Sequence, residues 1–448
     1  MIWNFHQKGG GNVPKNDSIL LEKANRYGTP MYVYDGDALK DHYDHLISWL
    51  HQSVEVFFSF KSNGNVSIAS LLRSFGAGIE VASAGELLMA VKAGYSPQQI
   101  IFSGPGKGKK EIDIAIQHEI YCIIAESREE LIYIAESAKR QDKQASVGIR
   151  INPESIESKA KIKMGGVPSP FGIDESKLKD IFDLFQKYDH SLLFKGIHMY
   201  LGTQVLNETS LLSSFEYTLN TAVRIKNEYG YTCQMVDLGG GFGIPYFQHE
   251  EPLNAERLFQ NVAELIRSYE AELEYPRFII EMGRFLLAEC GVYLTTIQYV
   301  KESKGQLFLI ADGGMHHHQA MTFRGRLLRN NYPMRLIKHS SKPSAVVKQS
   351  IVGPLCTPED LIGREVELPQ GDAGDLLCIE KSGAYGLCYS PTLFLGHPSP
   401  LELLMFEGDD YVVRDRGIPE DLLLKQDPSL FRQRRVEYET DGASSRND

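Results

Sequence analysis

The 448-residue sequence has little of what marks several large classes of protein. Its six cysteines are scattered and lie mostly within apolar runs, so we expect reduced thiols and no disulfide framework. No apolar run is long enough to span a bilayer, and the N-terminal stretch has no apolar signal-peptide core, so we expect a cytoplasmic protein without a membrane partner. The formal net charge of -11 makes nucleic acid an unfavourable partner as well.

The sequence does contain eight short apolar runs, which alternate with amphipathic stretches of helical length. The runs occupy residues 54–60, 78–80, 99–103, 121–125, 146–150, 193–200, 234–238 and 278–281. Strands that alternate with helices pair in parallel through right-handed crossovers, and eight such units can close into a (β/α)8 TIM barrel. The active site of such a barrel lies at the carboxyl ends of its strands, where this sequence has a lysine, carboxylates, a histidine and a glycine-rich motif.

The pattern changes near residue 290, where short apolar runs become separated by turn residues with little helical periodicity. This pattern predicts an all-β domain after the barrel. We therefore predict an α/β chain that is divided into four parts. They are an N-terminal segment (1–35) that joins the β domain, the barrel (36–289), the C-terminal β domain (290–435) and a polar, disordered tail (436–448).

Two motifs suggest a dinucleotide and a metal ion as ligands, but the spacing of their residues fits neither. The glycines from Gly239 to Gly243 lack the last glycine of a dinucleotide fingerprint, although such a loop after a barrel strand can still bind phosphate through its backbone N–H groups. The adjacent histidines from His316 to His318 cannot all chelate one ion on an extended chain, because neighbouring side chains point to opposite faces. We therefore predict no metal site and interpret the histidines as a polar strand end near a cleft.

Lys61 directly follows the first predicted barrel strand. Partial desolvation there would lower the pKa of its amine, and a neutral amine can form a Schiff base. Its position alone equally allows a lysine that extends to solvent at the rim. Glu281 and Arg284 favour the first interpretation, because a carboxylate can hold a pyridinium N–H while Gly283 and Arg284 suit a phosphate. Together these residues predict a site for pyridoxal 5'-phosphate.

Seven motifs resemble, in the same order, those of the fold-type III pyridoxal-phosphate decarboxylases, the group of diaminopimelate, ornithine and arginine decarboxylases. The motifs are FFSFKSN, GIEVASAGEL, HMYLGTQ, VDLGGGFG, EMGR, GPLCTPED and SGAYG. The resemblance implies an alanine racemase-like fold, a pyridoxal-phosphate cofactor and an amino-acid carboxy-lyase. It also implies a homodimer with shared active sites.

The resemblance further implies roles for individual residues. In catalysis, Lys61 would carry the cofactor and Cys356 would donate a proton from a second subunit, with Tyr200 and His198 also in the catalytic group. The residues implied in cofactor binding are Lys61, Glu80, Thr203, Gly239, Gly240, Gly241, Glu281, Gly283, Arg284 and Tyr385. The residues expected to bind substrate are Arg324, Glu359 and Asp360.

Further stretches, among them IIFSGPGK, IKMGGVPSPFGID and FLGHPSP, resemble the glutamyl-[acyl-carrier-protein] decarboxylase branch of butirosin biosynthesis. This branch implies an acidic amino acid tethered to a carrier protein as substrate. Three positions depart from the wider family. Glu80 stands where the family usually has an aspartate. Tyr200 stands where a histidine commonly stacks on the cofactor, and Thr357 stands where an acidic residue binds the distal ammonium of a diamino acid. Because a buried ammonium without a carboxylate partner is costly, Thr357 disfavours a free diamino substrate.

Three alternatives stay open on the sequence alone. They are a decarboxylase of diaminopimelate or another free diamino acid, an amino-acid racemase, and a non-catalytic regulatory relative. Glu281 disfavours the racemase, because in alanine racemase an arginine meets the pyridine nitrogen and limits the lifetime of the carbanion. The presence of Lys61, Glu281 and Cys356 together disfavours the non-catalytic relative.

Overall fold

The computed structural model describes residues 16–154, 162–163, 167–322, 330–339 and 344–427. Arg324 and the predicted tail at 436–448 lie outside the described residues. The described chain forms a closed parallel barrel, a second sheet of nine strands and a two-stranded ribbon. The predicted fold class, a TIM barrel followed by a mostly β domain, is confirmed.

The strands are numbered here in chain order. They are β1 (Met31–Asp35), β2 (Val54–Ser59), β3 (Gly78–Val81), β4 (Ile100–Phe102), β5 (Cys122–Ala125), β6 (Ala145–Asn152), β7 (Ile162–Lys163), β8 (Ile173–Asp174), β9 (Leu192–His198), β10 (Gly202–Thr203), β11 (Met235–Asp237), β12 (Arg277–Met282), β13 (Gly291–Ser303), β14 (Gln306–Ala311), β15 (Met334–Ile337), β16 (Val346–Val352), β17 (Leu361–Pro369), β18 (Leu376–Ile379), β19 (Leu401–Phe406) and β20 (Asp409–Arg414).

Eight of these strands form the barrel, in the order β5-β4-β3-β2-β12-β11-β9-β6, and the pairing of β5 with β6 closes it. Every neighbouring pair around the ring is parallel. Each of the eight apolar runs overlaps one barrel strand, so this part of the prediction is confirmed.

Helices connect the strands. They are α1 (Asp17–Tyr27), α2 (Gly36–Trp49), α3 (Val66–Ser74), α4 (Ala84–Lys92), α5 (Lys109–Gln117), α6 (Arg128–Arg140), α7 (Leu178–Lys187), α8 (Glu208–Tyr229), α9 (Ala255–Tyr269) and α10 (Arg284–Leu287). Short polar residues begin several of them. Asn65 accepts from the Ser67 N–H at 2.9 Å, and Ser127 accepts from the Glu130 N–H at 3.1 Å, which satisfies N–H groups that lack helical partners. Among the described residues, no helix combines the length and the apolar character needed to cross a membrane.

The alternation of side chains along the barrel strands produces the polar layer at the mouth. In β3, Ile79 and Val81 pack in the main apolar core, so Glu80 between them points into the barrel. An apolar cluster fills the interior below this level: Phe57, Ile101, Tyr121, Cys122, Ile124, Met235 and Ile279. Two residues further along five of the strands, the inward positions are polar: Ser59, Ser103, Glu126, Asp237 and Glu281. An apolar floor therefore supports a ring of polar groups at the carboxyl ends of the strands.

The second sheet consists of β1 and the strands from β13 to β20. Strand β1 lies between β13, to which it is antiparallel, and β19, to which it is parallel. Helix α1 packs on this sheet through Leu20, in an apolar cluster that includes Met31 and Leu294. The strand that precedes the barrel in the chain thus completes the sheet that follows the barrel.

The β domain contacts the loop that carries Lys61. The Tyr385 N–H donates to Ser62 O at 2.7 Å, and Asn63 Nδ2 donates to Gly383 O at 3.0 Å. Asn65 Nδ2 donates to Glu402 Oε2, again at 3.0 Å. These contacts fix the chain directly after Lys61, so the β domain takes part in positioning that lysine.

The three adjacent histidines lie inside the β domain, so the prediction of a polar strand end near a cleft is wrong. Each of the three is at most 3% exposed. His317 Nε2 is 2.8 Å from Pro398 O, and His318 Nε2 is 3.0 Å from Ser382 Oγ. These partners are distant in sequence, which is why the motif alone did not indicate a buried position.

Candidate active site

A cavity with about 330 Å³ of empty space, part of it open to solvent, lies at the carboxyl ends of the barrel strands. Eight of the predicted site residues line it: Lys61, Tyr200, Thr203, Gly241, Glu281, Gly283, Arg284 and Tyr385. Tyr385 comes from the loop after β18, so both sheets contribute to the cavity.

Lys61, which lines this cavity, forms an ion pair with Glu80. Lys61 Nζ donates to both oxygens of the Glu80 carboxylate at 2.9 Å. The Glu80 side chain is 1% exposed, whereas that of Lys61 is 41% exposed, so the amine is held by a buried anion and still faces the opening. The hydroxyl of Ser103 also donates to Glu80 and fixes the carboxylate from the neighbouring strand.

The pKa of Lys61 lies above its ordinary value, so the predicted lowering is wrong. Burial favours the neutral amine, but the Coulomb attraction of Glu80, followed by that of Glu281, outweighs this effect. Burial likewise acts to raise the pKa of Glu80, but Lys61 and Ser103 together lower it. Desolvation could be inferred from sequence, whereas the carboxylate that overrides it lies on another strand.

His198, Asp237 and Glu281 form a second buried group, on the neighbouring strands β9, β11 and β12. One polar side-chain atom of each residue lies within 4.8 Å of the other two. Burial raises the pKa of Asp237 to about 7, and burial together with Glu80 and Asp237 raises the pKa of Glu281. Burial lowers the pKa of His198, which keeps its imidazole neutral.

Several atoms of this group have no hydrogen-bond partner among the described residues: Glu281 Oε1, Asp237 Oδ2 and both ring nitrogens of His198. His198 Nε2 is 3.5 Å from Glu281 Oε1, which is beyond good hydrogen-bond distance. Buried polar atoms are usually paired. This end of the cavity therefore suits a ligand that brings a donor, such as a pyridinium N–H, and the same donor set could chemically hold a divalent cation.

The other end of the cavity is cationic. Arg284 Nη1 donates to Tyr246 Oη at 2.9 Å, and the guanidinium carbon is 4.4 Å from the centre of the Tyr385 ring. Arg284 Nε is buried without a partner among the described residues. Thr203 and Gly283 line the cavity beside it. A guanidinium with an unused N–H, a hydroxyl and exposed backbone make an arrangement that suits a phosphate group.

The glycines after β11 contribute mainly by allowing close packing. A Cβ atom at Gly239 would lie 2.2 Å from Met199 O, and one at Gly240 would lie 2.0 Å from Glu281 O. Neither residue is part of the cavity lining, whereas Gly241 is. Gly239 and Gly240 therefore let the ends of β9, β11 and β12 approach each other, which brings their polar groups together.

Tyr200 and Arg150 form a wall beside the buried group. The Arg150 guanidinium is 5.9 Å from the centre of the Tyr200 ring and 4.8 Å from that of Phe171. Arg150 Nη1 is 3.4 Å from each oxygen of Glu126, while Nη2 has no partner among the described residues. Burial raises the pKa of Tyr200, although Lys61 opposes this, so the phenol stays neutral.

Sequence reasoning did not assign five residues of this polar layer: Ser59, Ser103, Glu126, Arg150 and Asp237. Each lies within the last three residues of a barrel strand or directly after its end, in an inward position. The signal that could have found them is the alternation within each apolar run, because the residue two places after an inward apolar side chain also points inward.

Cys356 and Glu359, two further predicted site residues, lie outside this cavity. Both are exposed, in the loop between β16 and β17. Asp360, at the end of the same loop, is 2% exposed. Its Oδ1 accepts from the Met315 N–H at 2.6 Å and its Oδ2 from the Leu355 N–H at 2.8 Å. Both oxygens are thus bound inside the β domain, which corrects the predicted substrate-binding role of Asp360.

Comparison with known proteins adds independent findings. The family model described as "Pyridoxal-dependent decarboxylase, pyridoxal binding domain" matches residues 38–288. The chain is 47% identical over 419 residues to the L-glutamyl-[BtrI acyl-carrier protein] decarboxylase of Niallia circulans, which covers 93% of this chain and 97% of the relative. It is 29% identical over 402 residues to the diaminopimelate decarboxylase of Aquifex aeolicus, with 89% and 91% covered.

A solved structure is similar over almost the whole chain. The crystal structure of diaminopimelate decarboxylase from M. jannaschii matches with a TM-score of 0.83 at 28% identity and covers 92% of this chain and 95% of that one. The family model covers more than half of the chain, and the similarity to whole relatives extends through the β domain. The chain therefore belongs to the pyridoxal-dependent decarboxylases and is a carboxy-lyase.

Proposed function

We propose that this enzyme decarboxylates an acidic amino acid that is tethered to an acyl-carrier protein. The observation that carries the proposal is the 47% identity to a decarboxylase named for carrier-bound glutamate. The diaminopimelate decarboxylase of Aquifex aeolicus is 29% identical over a similar share of the chain. Thr357, in the place of the acidic residue that binds a distal ammonium, supports a substrate without a free second amine.

The two ends of the cavity support pyridoxal 5'-phosphate as the cofactor. The unpaired Glu281 Oε1 would accept the pyridine N–H, and Lys61 would attach the aldehyde between the two ends. The phosphate would be held by Thr203, Gly241, Gly283, Arg284 and Tyr385, which line the cavity. Gly239 and Gly240 would support this site by letting the strand ends approach each other. The bound cofactor supplies an electron sink for the electron pair that remains when carbon dioxide leaves.

The remaining polar residues control protons and orientation. Lys61 must lose a proton before its amine can react, and Glu80, whose oxygens are 2.9 Å from Nζ, would orient the lysine toward the opening of the cavity. Tyr200 would cover one face of the cofactor ring. The neutral His198 carries no positive charge, so it would leave the Glu281 carboxylate available to the ring nitrogen of the cofactor.

Cys356 would donate a proton to the substrate carbon after carbon dioxide has left, in the site of a second subunit. Two observations support this: Cys356 is exposed, and it is not part of the cavity in its own chain. The proposal therefore includes a homodimer with shared active sites. Mixing Lys61→Ala and Cys356→Ala proteins should then restore about a quarter of the wild-type activity, because half of the dimers would be mixed and each would contain one intact site. Mixtures as inactive as the separate variants would contradict shared sites.

The substrate is tested by comparing the turnover of candidate substrates. The cofactor-loaded enzyme is incubated with glutamate attached to an acyl-carrier protein and, separately, with free glutamate, diaminopimelate, ornithine and lysine. Mass spectrometry follows the loss of carbon dioxide, and Lys61→Ala serves as the inactive control. We expect turnover of the carrier-bound substrate alone. Faster turnover of diaminopimelate would instead support the diaminopimelate decarboxylase alternative.

A further inference from the structure

The loop that carries Cys356 is fastened to the interior of the β domain by one carboxylate. Asp360 Oδ2 accepts from the N–H of Leu355, the residue directly before Cys356, at 2.8 Å. Asp360 Oδ1 accepts from the N–H of Met315, in the turn after β14, at 2.6 Å. A single buried side chain therefore connects the backbone next to the thiol with a separate part of the domain.

Two glycines leave room for this carboxylate. A Cβ atom at Gly314 would lie 2.3 Å from Asp360 Oδ1, and one at Gly353 would lie 2.3 Å from Asp360 Oδ2. The Gly353 N–H also donates to the backbone oxygen of Asp360 at 3.0 Å, which closes the base of the loop. The carboxylate fits a slot built from backbone, so its position permits little adjustment.

The loop between these points is held by its own backbone. The Thr357 N–H donates to Leu355 O at 2.8 Å, and the Asp360 N–H donates to Thr357 O at 3.2 Å. Hydrogen bonds therefore lie on both sides of Cys356, while the residue itself remains exposed. The backbone around the thiol is fixed, and the thiol is left free to act outside its own chain.

We propose that Asp360 is a positioning residue that sets where the Cys356 thiol stands relative to the reacting carbon. This inference rests on the proposed function of Cys356 as proton donor. In that step the S–H bond breaks, its proton forms a C–H bond at the carbon that has lost carbon dioxide, and the thiolate later takes a proton from water. Asp360 acts only through Cys356 and touches no substrate.

Two matched substitutions separate positioning from simple stability. Asp360→Asn keeps the shape of the side chain but places an amide donor against a backbone N–H. Asp375→Asn makes the same change at another buried carboxylate of the β domain, which accepts from the N–H groups of Asp372 at 2.7 Å and His339 at 3.2 Å. Asp375 also forms an ion pair with Lys338, so this control should lose at least as much stability as Asp360→Asn. Asp375 fastens the turn before β18 rather than the Cys356 loop. Both variants should lose thermal stability.

Kinetics in the cofactor-loaded enzyme provide the first measurement. For Asp360→Asn we expect kcat to fall about 10-fold or more with KM changed less than about 2-fold, because a misplaced proton donor affects the reaction step and not binding. In D2O, the wild-type enzyme should deliver deuterium to one face of the product carbon, and Asp360→Asn should deliver it to both faces. Asp375→Asn should retain single-face delivery and a kcat within about 2-fold of wild type.

Alkylation of Cys356 provides a second measurement that needs no substrate. The holoenzyme is treated with iodoacetamide, and the rate of modification at Cys356 is followed by peptide mass mapping. We expect the rate to change at least about 3-fold in Asp360→Asn and to stay at the wild-type value in Asp375→Asn, because only the first variant frees the loop. If Asp360→Asn does not fold, Asp360→Glu, which keeps the charge but lengthens the side chain, should show the same changes.

The outcomes separate the inference from the proposed function. If Asp360→Asn and Asp375→Asn lose similar stability and both keep wild-type kcat, product stereochemistry and Cys356 alkylation rate, Asp360 does not position the thiol and the inference is overturned. If Cys356→Ala keeps both kcat and single-face delivery, Cys356 is not the proton donor and that part of the proposed function fails. The alkylation rate then still decides whether Asp360 holds the thiol in place.

Discussion

The mouth of the barrel and the Cys356 loop hold their reactive groups in opposite ways. At the barrel mouth the side chains hold each other: Lys61 is bound to Glu80, and Glu281 lies buried beside other titratable groups. In the loop the backbone is held, through Asp360, and the Cys356 thiol is exposed. The barrel mouth can therefore bind a ligand that enters between its charged side chains, whereas the loop exposes a single thiol to the outside of its own chain.

This difference sets the order of the expected effects. A change at the barrel mouth removes either the lysine that attaches the cofactor or the carboxylate that faces its ring nitrogen. Every later step depends on both groups. A change in the loop affects one proton transfer or one substrate contact. The largest losses of activity are therefore expected for changes at the barrel mouth.

The largest effect is expected for Lys61→Ala. Turnover should fall by about 10³-fold or more, because no other described residue that lines the cavity offers an amine to the cofactor aldehyde. The measurement pairs turnover with borohydride reduction of the loaded protein and mass mapping of the labelled peptide. Lys107→Ala is the matched control, because Lys107 is a buried lysine near the same mouth that is paired with Glu130 at 2.8 Å. Labelling at a residue other than Lys61 would show that Lys61 does not attach the cofactor.

The next effect is expected for Glu281→Gln, which keeps the size of the side chain and removes its charge. We expect kcat to fall by about 10²-fold, because a neutral amide cannot stabilise the positive charge on the pyridine nitrogen. The measurement is kcat with saturating cofactor, together with the dissociation constant of the cofactor to show that the site is filled. A kcat within about 3-fold of wild type would mean that Glu281 does not face the ring nitrogen.

The elements of the barrel site that could be predicted from sequence depend on short-range rules. The end of each strand follows from its apolar run, and the inward direction of Glu80 and Glu281 follows from alternation. These rules place Lys61 and Arg284 at one face of the barrel. They fix which residues meet but give no distance between them.

The parts that sequence reasoning missed depend on contacts between distant segments. The pKa of Lys61 is raised because Glu80 lies on the next strand, and nothing in the Lys61 motif contains that information. The position of Asp360 depends on the N–H of Met315 and on the space left by Gly314. Buried polar groups find partners wherever the fold provides them, so a motif can identify such a residue without revealing its role.

A moderate effect is expected for Thr357→Asp, which tests the loop side of the comparison. The added carboxylate should raise kcat/KM for a free diamino acid such as diaminopimelate about 10-fold, because it gives the distal ammonium a partner. Thr357→Asn, of similar shape but neutral, is the control and should give no such gain. Equal values for both variants would show that this position does not meet the side chain of the substrate.

The smallest effect is expected for Asp237→Asn, measured on the cofactor-free protein as a function of pH. Burial raises the pKa of Asp237 from 3.8 to about 7. An acid whose pKa is higher in the folded state contributes stability that is fully present below its unfolded pKa and is lost as the pH rises through its folded pKa. The wild-type protein should therefore lose stability between about pH 4 and about pH 7 through this group, whereas asparagine does not titrate.

The free energy of unfolding of Asp237→Asn minus that of wild type should thus increase by on the order of 1 kcal/mol between about pH 5 and about pH 8. This increase is below the single-site limit because neighbouring carboxyl groups share the proton. Denaturant unfolding at the two pH values gives this difference directly. The control is Asp375→Asn, which should destabilise the protein at both pH values, because Asp375 forms an ion pair with Lys338 that asparagine cannot make. If the difference in unfolding free energy between Asp237→Asn and wild type stays constant with pH, Asp237 is ionised throughout this range. The buried group of His198, Asp237 and Glu281 would then carry one more negative charge than its burial favours.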